Sequence, residues 1–226
     1  MSNNKLVRLP ASMQIPGIMA EMQRAAETLK DLGWGVSVFG SARIRPDSPY
    51  YALSEQVGAR LAQAGLPVIA GGGPGIMEAA NKGAFEAGGQ SVGLNIKLPM
   101  ETTNNRYQTH SLTFDYFYSR KATFFMHSAA YIALPGGFGT LDELFEVLTL
   151  VQTRKVPAAP IILIGTAFWE GLVAWVRQEL LANRLIGPND LDLLTITDDL
   201  DVVMQTINHY CDVFSEERQA APALPE

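Results

Sequence analysis

The chain has 226 residues, of which 47% are hydrophobic, 18% are charged and 20 are glycine. Its 17 basic and 23 acidic side chains leave a net charge of −6. Apolar content at that level with modest charge can bury a core, which excludes a disordered chain, and the acidic balance argues against nucleic acid as a partner, because phosphate contacts need clustered Lys and Arg.

The single cysteine, Cys211, excludes a disulfide scaffold and a Cys-based zinc site and fits a reducing compartment. Residues 1–10 are polar and basic without an apolar run, so no secretory signal is expected and the expected address is the cytoplasm. The uncharged run 122–141 is long enough for a membrane span. It holds Pro135, Gly136, Gly137 and Gly139, which would break a spanning helix, so no membrane partner is expected.

Residues 18–32 place apolar side chains at helical spacing and end at Gly33, which predicts a helix with a glycine C-cap. An apolar strand at 34–39 runs into Gly40-Ser41, and Asp47 or Ser48 caps a helix reaching residue 64. A strand at 66–70 empties into the glycine loop 71–75, followed by a helix at 76–87 and a strand at 91–98. A loop to about residue 109, a strand at 111–117, a helix at 120–128 and a strand at 131–134 lead to the second glycine loop, 135–139. Helices at 141–154, 168–183 and 200–213 alternate with strands at 160–164 and 193–196, and residues 220–226 are expected to fray.

Strands alternating with helices, and apolar along their whole length, imply a parallel sheet covered on both faces. The expected fold class is α/β, one Rossmann-like domain with a doubly wound, mainly parallel sheet and helices on both faces. A helical extension occupies 1–32, the nucleotide-binding and catalytic domain 33–215 and a flexible tail 216–226.

In such sheets ligands bind outside the carboxyl ends of the strands. Three glycine-bearing loops are expected there: Gly40-Ser41, residues 71–75 and residues 135–140. Glycine lets backbone N–H groups approach an anion, and a helix N-terminus favours negative charge, so the loops read as a phosphate cradle; tight strand–helix turns are the plainer alternative. The loops lack the Gly-Lys-Ser/Thr of a triphosphate-binding loop and the Gly-x-Gly-x-x-Gly of a dinucleotide site, which points to a mononucleotide or a sugar phosphate.

Thr140 and Glu143 have the spacing of a capping box, and Glu143 is equally placed to act on a ligand held by the loop before it. If Ser119 caps the helix at 120, Arg120 and Lys121 sit in its first turn, where the helix dipole disfavours cations, so an anionic partner is expected there. His110, His127 and His209 form no metal-ligand pattern, and Asn104-Asn105-Arg106-Tyr107 reads equally as a lid or a polar turn.

The segments Gly71-Gly-Gly-Pro-Gly-Ile-Met-Glu-Ala-Ala-Asn-Lys-Gly83, Arg120-Lys121 and Pro135-Gly-Gly-Phe-Gly-Thr-Leu-Asp-Glu143 together resemble the LOG (Lonely Guy) family. These are cytokinin riboside 5′-monophosphate phosphoribohydrolases, many of them labelled lysine decarboxylases. The resemblance spans residues 34–154 and matches the family signature Pro-Gly-Gly-x-Gly-Thr-x-x-Glu in full. It implies hydrolysis of the N-glycosidic bond of a nucleoside 5′-monophosphate, with Arg120 and Glu143 as the catalytic pair. It also implies that Lys121, Gly137, Phe138, Gly139, Thr140 and Thr149 line the nucleotide site. Gly40, Ser41, Gly73, Gly75, Met77, Asn81 and Gly136, from the glycine loops and the motif after them, complete the expected binding set. No metal and no cofactor is expected; the implied partners are a nucleotide substrate and further copies of the chain, as a homodimer or larger. The chain departs from the family at Asp142, often Glu, and in the Phe117-Tyr-Ser-Arg-Lys121 context of its arginine, which leaves the preferred base open. Two other readings stand beside this one: a carrier that binds a phosphorylated cofactor without chemistry, and the inherited decarboxylase label, which needs a Schiff-base lysine.

Overall fold

The computed structural model describes residues 10–98 and 104–220; the opening segment 1–9, part of the loop after the third strand and the last six residues of the expected tail lie outside the described residues. In chain order the elements are α1 (Ala11–Thr28), β1 (Gly35–Phe39), α2 (Pro49–Gln63), β2 (Val68–Ala70), α3 (Ile76–Glu86), β3 (Ser91–Ile96), β4 (His110–Phe114), α4 (Phe117–His127) and β5 (Ser128–Ala133). They continue with α5 (Phe138–Gln152), β6 (Ile161–Leu163), α6 (Thr166–Trp175), β7 (Leu194–Ile196) and α7 (Leu200–Ala220). A π-helical stretch, Val176–Leu181, prolongs α6, and a 3₁₀ turn, Asp190–Leu193, precedes β7.

The seven strands form one sheet in the order β4-β3-β2-β1-β5-β6-β7, and every pairing is parallel. Successive residues of β1, β2, β5 and β6 feed opposite cores. Phe39, Ile69, Leu94, Tyr131, Ala133 and Leu163 pack with α1, α4, α5 and α6, whereas Val36, Val38, Val68, Ala70, Ile132 and Ile162 pack with α2, α3 and α7. A strand buried on both faces has no wet side for charged residues, so the low charged fraction follows from the architecture. The chain winds outward from β1 to β4, then returns through α4 to start β5 on the other side of β1, which puts the reversal of strand order between β1 and β5.

Helix boundaries differ from the expected ones in several places: α6 begins at Thr166 and not at 168, α7 runs to Ala220 and takes in the first residues of the expected tail, and three further differences bear on the site. α1 begins at Ala11 and ends at Thr28, with Pro16 inside it, so Gly33 lies beyond the helix rather than capping it. α4 starts at Phe117, three residues early; Ser119 is inside the helix and caps nothing with its side chain, which leaves Arg120 at the end of the first turn and Lys121 beyond it. α5 starts at Phe138, so Thr140 is its third residue rather than its cap, and the expected capping box with Glu143 does not form. The reason is local: Gly137 turns the chain into the helix, and the Thr140 side chain folds back over Gly136, where an added Cβ would lie 2.1 Å from Thr140 Oγ1. No helix among the described residues is long and apolar enough to cross a membrane.

Candidate active site

The carboxyl ends of β1, β2, β3 and β5 open into a cleft of about 1140 Å³ at the point where the strand order reverses. Gly40-Ser41, just after β1, ties the three glycine-bearing loops together through the backbone. Ser41 N–H donates to Pro135 O at 3.1 Å, and Ile76 N–H donates to Ser41 O at 3.1 Å. Gly75 takes φ +69 to make this junction, and a Cβ there would lie 2.4 Å from Ser41 O. The loops are therefore one bonded assembly.

On the β5 side the first turn of α5 faces the cleft with Gly137, Phe138, Gly139 and Thr140. A helix's first amides have no intrahelical acceptor, and the dipole adds positive potential there. Nothing lies within 4 Å of where a Cβ would stand on Gly137 or Gly139, so the backbone of this turn is open to a ligand. Such a turn accepts a phosphate group.

Arg120 and Glu143 meet across the cleft floor. Arg120 Nη1 stands 3.6 Å from Glu143 Oε1, with the two side chains only 8% and 14% exposed. Nε of Arg120 donates to Leu94 O at 2.6 Å and Nη2 to Gly71 O at 3.3 Å, so the guanidinium is strung between the end of β3 and the first glycine loop. Its carbon lies 5.4 Å from the centre of the Phe124 ring. Gly71 makes room for it, since a Cβ there would be 2.4 Å from Arg120 Nη2.

Burial pushes the Glu143 carboxyl up to about 7; Arg120 and Lys121 oppose the rise, and the charges of Asp142 and Glu146 add to it. A carboxyl group titrating close to neutrality can exchange a proton with water or a leaving group at ordinary pH. Lys121 contacts the carboxylates of Asp142, at 2.8 Å, and of Glu146. Burial works to lower its pKa, and the two carboxylates outweigh that and raise it.

Of the residues expected at the site, Gly40, Ser41, Gly73, Met77, Arg120, Gly137, Phe138, Gly139, Thr140 and Glu143 line the cleft. The others stand behind or apart from it. Gly75 and Gly136 shape the turns, and Lys121 is tied to α5. Asn81 is fully buried and donates to Ser91 Oγ at 2.8 Å and Val92 O at 3.1 Å, which braces α3 against β3. Thr149 bonds Phe145 O within its own helix and lines a separate small apolar cavity between α5 and α6.

The cleft also contains residues that the glycine pattern did not reveal: Arg43, Asn95, Lys97, Asn104 and Thr113. Asn95 and Lys97 occupy the carboxyl end of β3, so the rule that located the other loops applies to them too, although no glycine marks the spot. The polar segment 104–107 acts as a brace, with Asn105 N–H donating to Gly72 O at 2.8 Å and Asn105 Nδ2 to Gly73 O at 3.2 Å.

A family model described as "Possible lysine decarboxylase" matches residues 77–207. A cytokinin riboside 5′-monophosphate phosphoribohydrolase of Mycobacterium marinum is 30% identical over 175 residues, 76% of this chain and 92% of that protein. A probable enzyme of the same name from rice (Oryza sativa subsp. japonica) is 32% identical over 147 residues, 63% of this chain but only 59% of the rice protein. Among solved structures, the molybdenum cofactor carrier protein of Chlamydomonas reinhardtii superposes with a TM-score of 0.60 at 20% identity, over 80% of this chain and 99% of that one, which is a likeness of fold. The family model spans more than half of the chain, and the mycobacterial relative is 30% identical over three quarters of it: the chain belongs to the LOG family.

Proposed function

We propose that the chain is a hydrolase that cleaves the N-glycosidic bond of nucleoside 5′-monophosphates, AMP or N6-modified AMP, to free base and ribose 5-phosphate. The observation that carries this reading is the buried Glu143 carboxyl, set against Arg120 on the floor of the cleft and one turn beyond the open amides of α5. The named activity of the mycobacterial relative supports it.

With the 5′-phosphate on the first turn of α5, the ribose faces Glu143. As the bond from C1′ to the base breaks, positive charge grows on the ribose ring, and the Glu143 carboxylate stabilises it. The carboxylate then takes a proton from a water whose oxygen bonds to C1′, while the departing base keeps the bond's electron pair and acquires a proton. Arg120 holds the carboxylate in place and favours its charged form.

A carrier without chemistry would use the same anion turn. It would gain nothing from a desolvated carboxyl beside that turn, since a negative Glu143 repels a phosphate. The decarboxylase description finds no support in Lys82, Lys97 and Lys121: each pairs with a carboxylate, and for Lys82 and Lys121 the pairing favours the charged ammonium over the neutral amine that a Schiff base requires.

Purified protein incubated with AMP, and separately with N6-isopentenyl-AMP, tests the reading by chromatography of released base and assay of ribose 5-phosphate. Release from either substrate supports it. Binding of both without release sinks it in favour of a carrier. We also propose that the chain self-associates through the α1, α4, α5 and α6 layer, where Met13, Ile15, Met19, Phe117, Tyr118 and Phe138 are exposed.

A further inference from the structure

Glu21, in the middle of α1, is 5% exposed, and among the described residues no lysine or arginine forms an ion pair with it. A carboxylate taken out of water needs strong donors. Glu21 finds them at the start of α4: Oε1 accepts from Asp115 N–H at 2.7 Å, and Oε2 from Tyr116 N–H at 3.4 Å and from the Ser119 hydroxyl. No side chain of its own segment caps α4; the amides of the N-cap Tyr116 and of Asp115 before it are served by a carboxylate 95 and 94 residues earlier in the chain.

Two neighbouring contacts fix the same junction. Arg24, one turn after Glu21, donates from Nη2 to Thr113 O at 2.7 Å, and Thr113 lines the cleft. The ring of Tyr116 lies against Gly17, where an added Cβ would stand 2.8 Å from Tyr116 Cε2. Three positions of α1 at helical spacing, 17, 21 and 24, thus grip the segment 113–119. The next residue is Arg120.

We propose that Glu21 is a positioning residue for the active site: α1 is a clamp whose buried carboxylate fixes the first turn of α4 and thereby sets the Arg120 guanidinium against Glu143. The inference rests on the catalytic reading of Arg120 and Glu143, but it has a readout that does not depend on turnover. Loss of the Glu21 carboxylate leaves two amides without their acceptor and the Ser119 hydroxyl with only Tyr116 O, at 3.0 Å, and the first turn of α4 loosens. Arg120 sits at the end of that turn, so its hydrogen bonds to Leu94 O and Gly71 O lengthen. Small displacements of this kind cost far more in rate than in stability, because the reacting groups must meet within a fraction of an ångström. The groups facing Glu143 are Arg120 and Lys121 from α4 and Asp142 and Glu146 from α5; withdrawal of Arg120 leaves the acidic pair less opposed and shifts the acid limb of activity to higher pH.

The test compares Glu21→Ala, Glu21→Gln and, as a control on the same helix, Glu27→Gln, whose native side chain is exposed and pairs with Lys30. Folding is checked by circular dichroism. The Arg120 Nε–H, buried and bonded to Leu94 O, is followed as a proton–nitrogen NMR signal, assigned by its loss in Arg120→Lys. In Glu21→Ala the signal is expected to move and exchange faster with water, kcat to fall about tenfold to a hundredfold with little change in KM, and the acid limb to shift upward. Glu21→Gln, which keeps one acceptor, is expected to fall between the parent and Glu21→Ala, with Glu27→Gln at the parent values. Should Glu21→Ala fail to fold, Glu21→Gln carries the same comparison. A folded variant with the parental Arg120 signal overturns the inference whether or not the parent protein is active, and so does a parental kcat in an active enzyme. A parent protein that releases no base overturns the catalytic reading alone.

Discussion

Arg120 reaches Glu143 with a nitrogen-to-oxygen distance of 3.6 Å while its other two nitrogens are occupied by Leu94 O and Gly71 O, so one guanidinium ties a β-strand end, a glycine loop and a helix to one carboxyl group. Five nitrogen-bound hydrogens in a rigid plane make this possible, and lysine has no equivalent geometry. Arg120→Lys is expected to fold and to lose at least about a hundredfold in kcat/KM, comparable to removing one preorganised donor from an active site. Steady-state kinetics with AMP measure it; a loss below about threefold would show that charge alone suffices.

Burial holds the Glu143 carboxyl at about 7, well above an exposed glutamate. The proposed chemistry needs the carboxylate, so kcat is expected to rise with pH through an inflection at or above about 7, since a bound phosphate opposes ionisation further. A flat profile between pH 6 and 8 would count against Glu143 as the proton acceptor.

The same group affects folding. Its folded pKa is raised, so the folded chain holds the Glu143 proton more tightly than the unfolded chain does. Stability from this group is fully present below the unfolded value of 4.5 and is lost as pH rises through about 7. A glutamine resembles the protonated form. Glu143→Gln is therefore expected to abolish turnover and to be more stable than the parent at pH 8, by up to about 3 kcal/mol, with the gap closing near pH 4.5. Urea denaturation at the two pH values reads it directly.

Two glycine substitutions should separate binding from folding. Gly139→Ala places its methyl where nothing lies within 4 Å, in a turn that faces the cleft, so stability is expected to hold while AMP affinity falls. Gly72 has φ +76, and its Cβ would lie 1.9 Å from Asn95 Oδ1; Gly72→Ala is expected to destabilise the fold by about 1 to 3 kcal/mol. Calorimetry of AMP binding alongside thermal unfolding distinguishes the two.

For self-association the measurement is light scattering coupled to size-exclusion chromatography. A dimer or larger species is expected, with Phe117→Ser shifting it toward monomer. A parent protein that is monomeric at micromolar concentration would refute the proposal.

The inner strands β1, β2 and β5 were legible because they are buried on both faces, and the glycine loops because they follow those strands directly. Of the helix starts that came earlier than expected, those of α4 and α6 share one physical reason. α4 takes its N-terminal acceptor from Glu21, and α6, expected at 168, begins at Thr166 because Asp198 accepts from Gly165 N–H at 2.6 Å and Thr166 N–H at 3.0 Å. Burial would raise the Asp198 pKa, but these backbone donors outweigh it and hold the carboxyl below its ordinary value. Caps drawn from distant segments leave no trace in a local window. Ser119 looked like a cap because serine commonly is one; in the fold it hands its hydrogen to Glu21. The anionic partner inferred for Arg120 and Lys121 exists, and three acidic residues of α5 supply it: Asp142, Glu143 and Glu146.

The sheet and the helical layer divide the labour of the cleft. Arg120 and Glu143 ride on α4 and α5, which lie side by side on one face, whereas Gly40-Ser41, the 71–75 loop and the end of β3 issue from the sheet itself. A shift of α4 alone would leave the α5 turn and the glycine loops, the proposed nucleotide-binding surfaces, in place while parting Arg120 from Glu143. On the proposed reading, hydrolysis and bare binding would differ by the packing of one helix–helix seam and not by the binding surface.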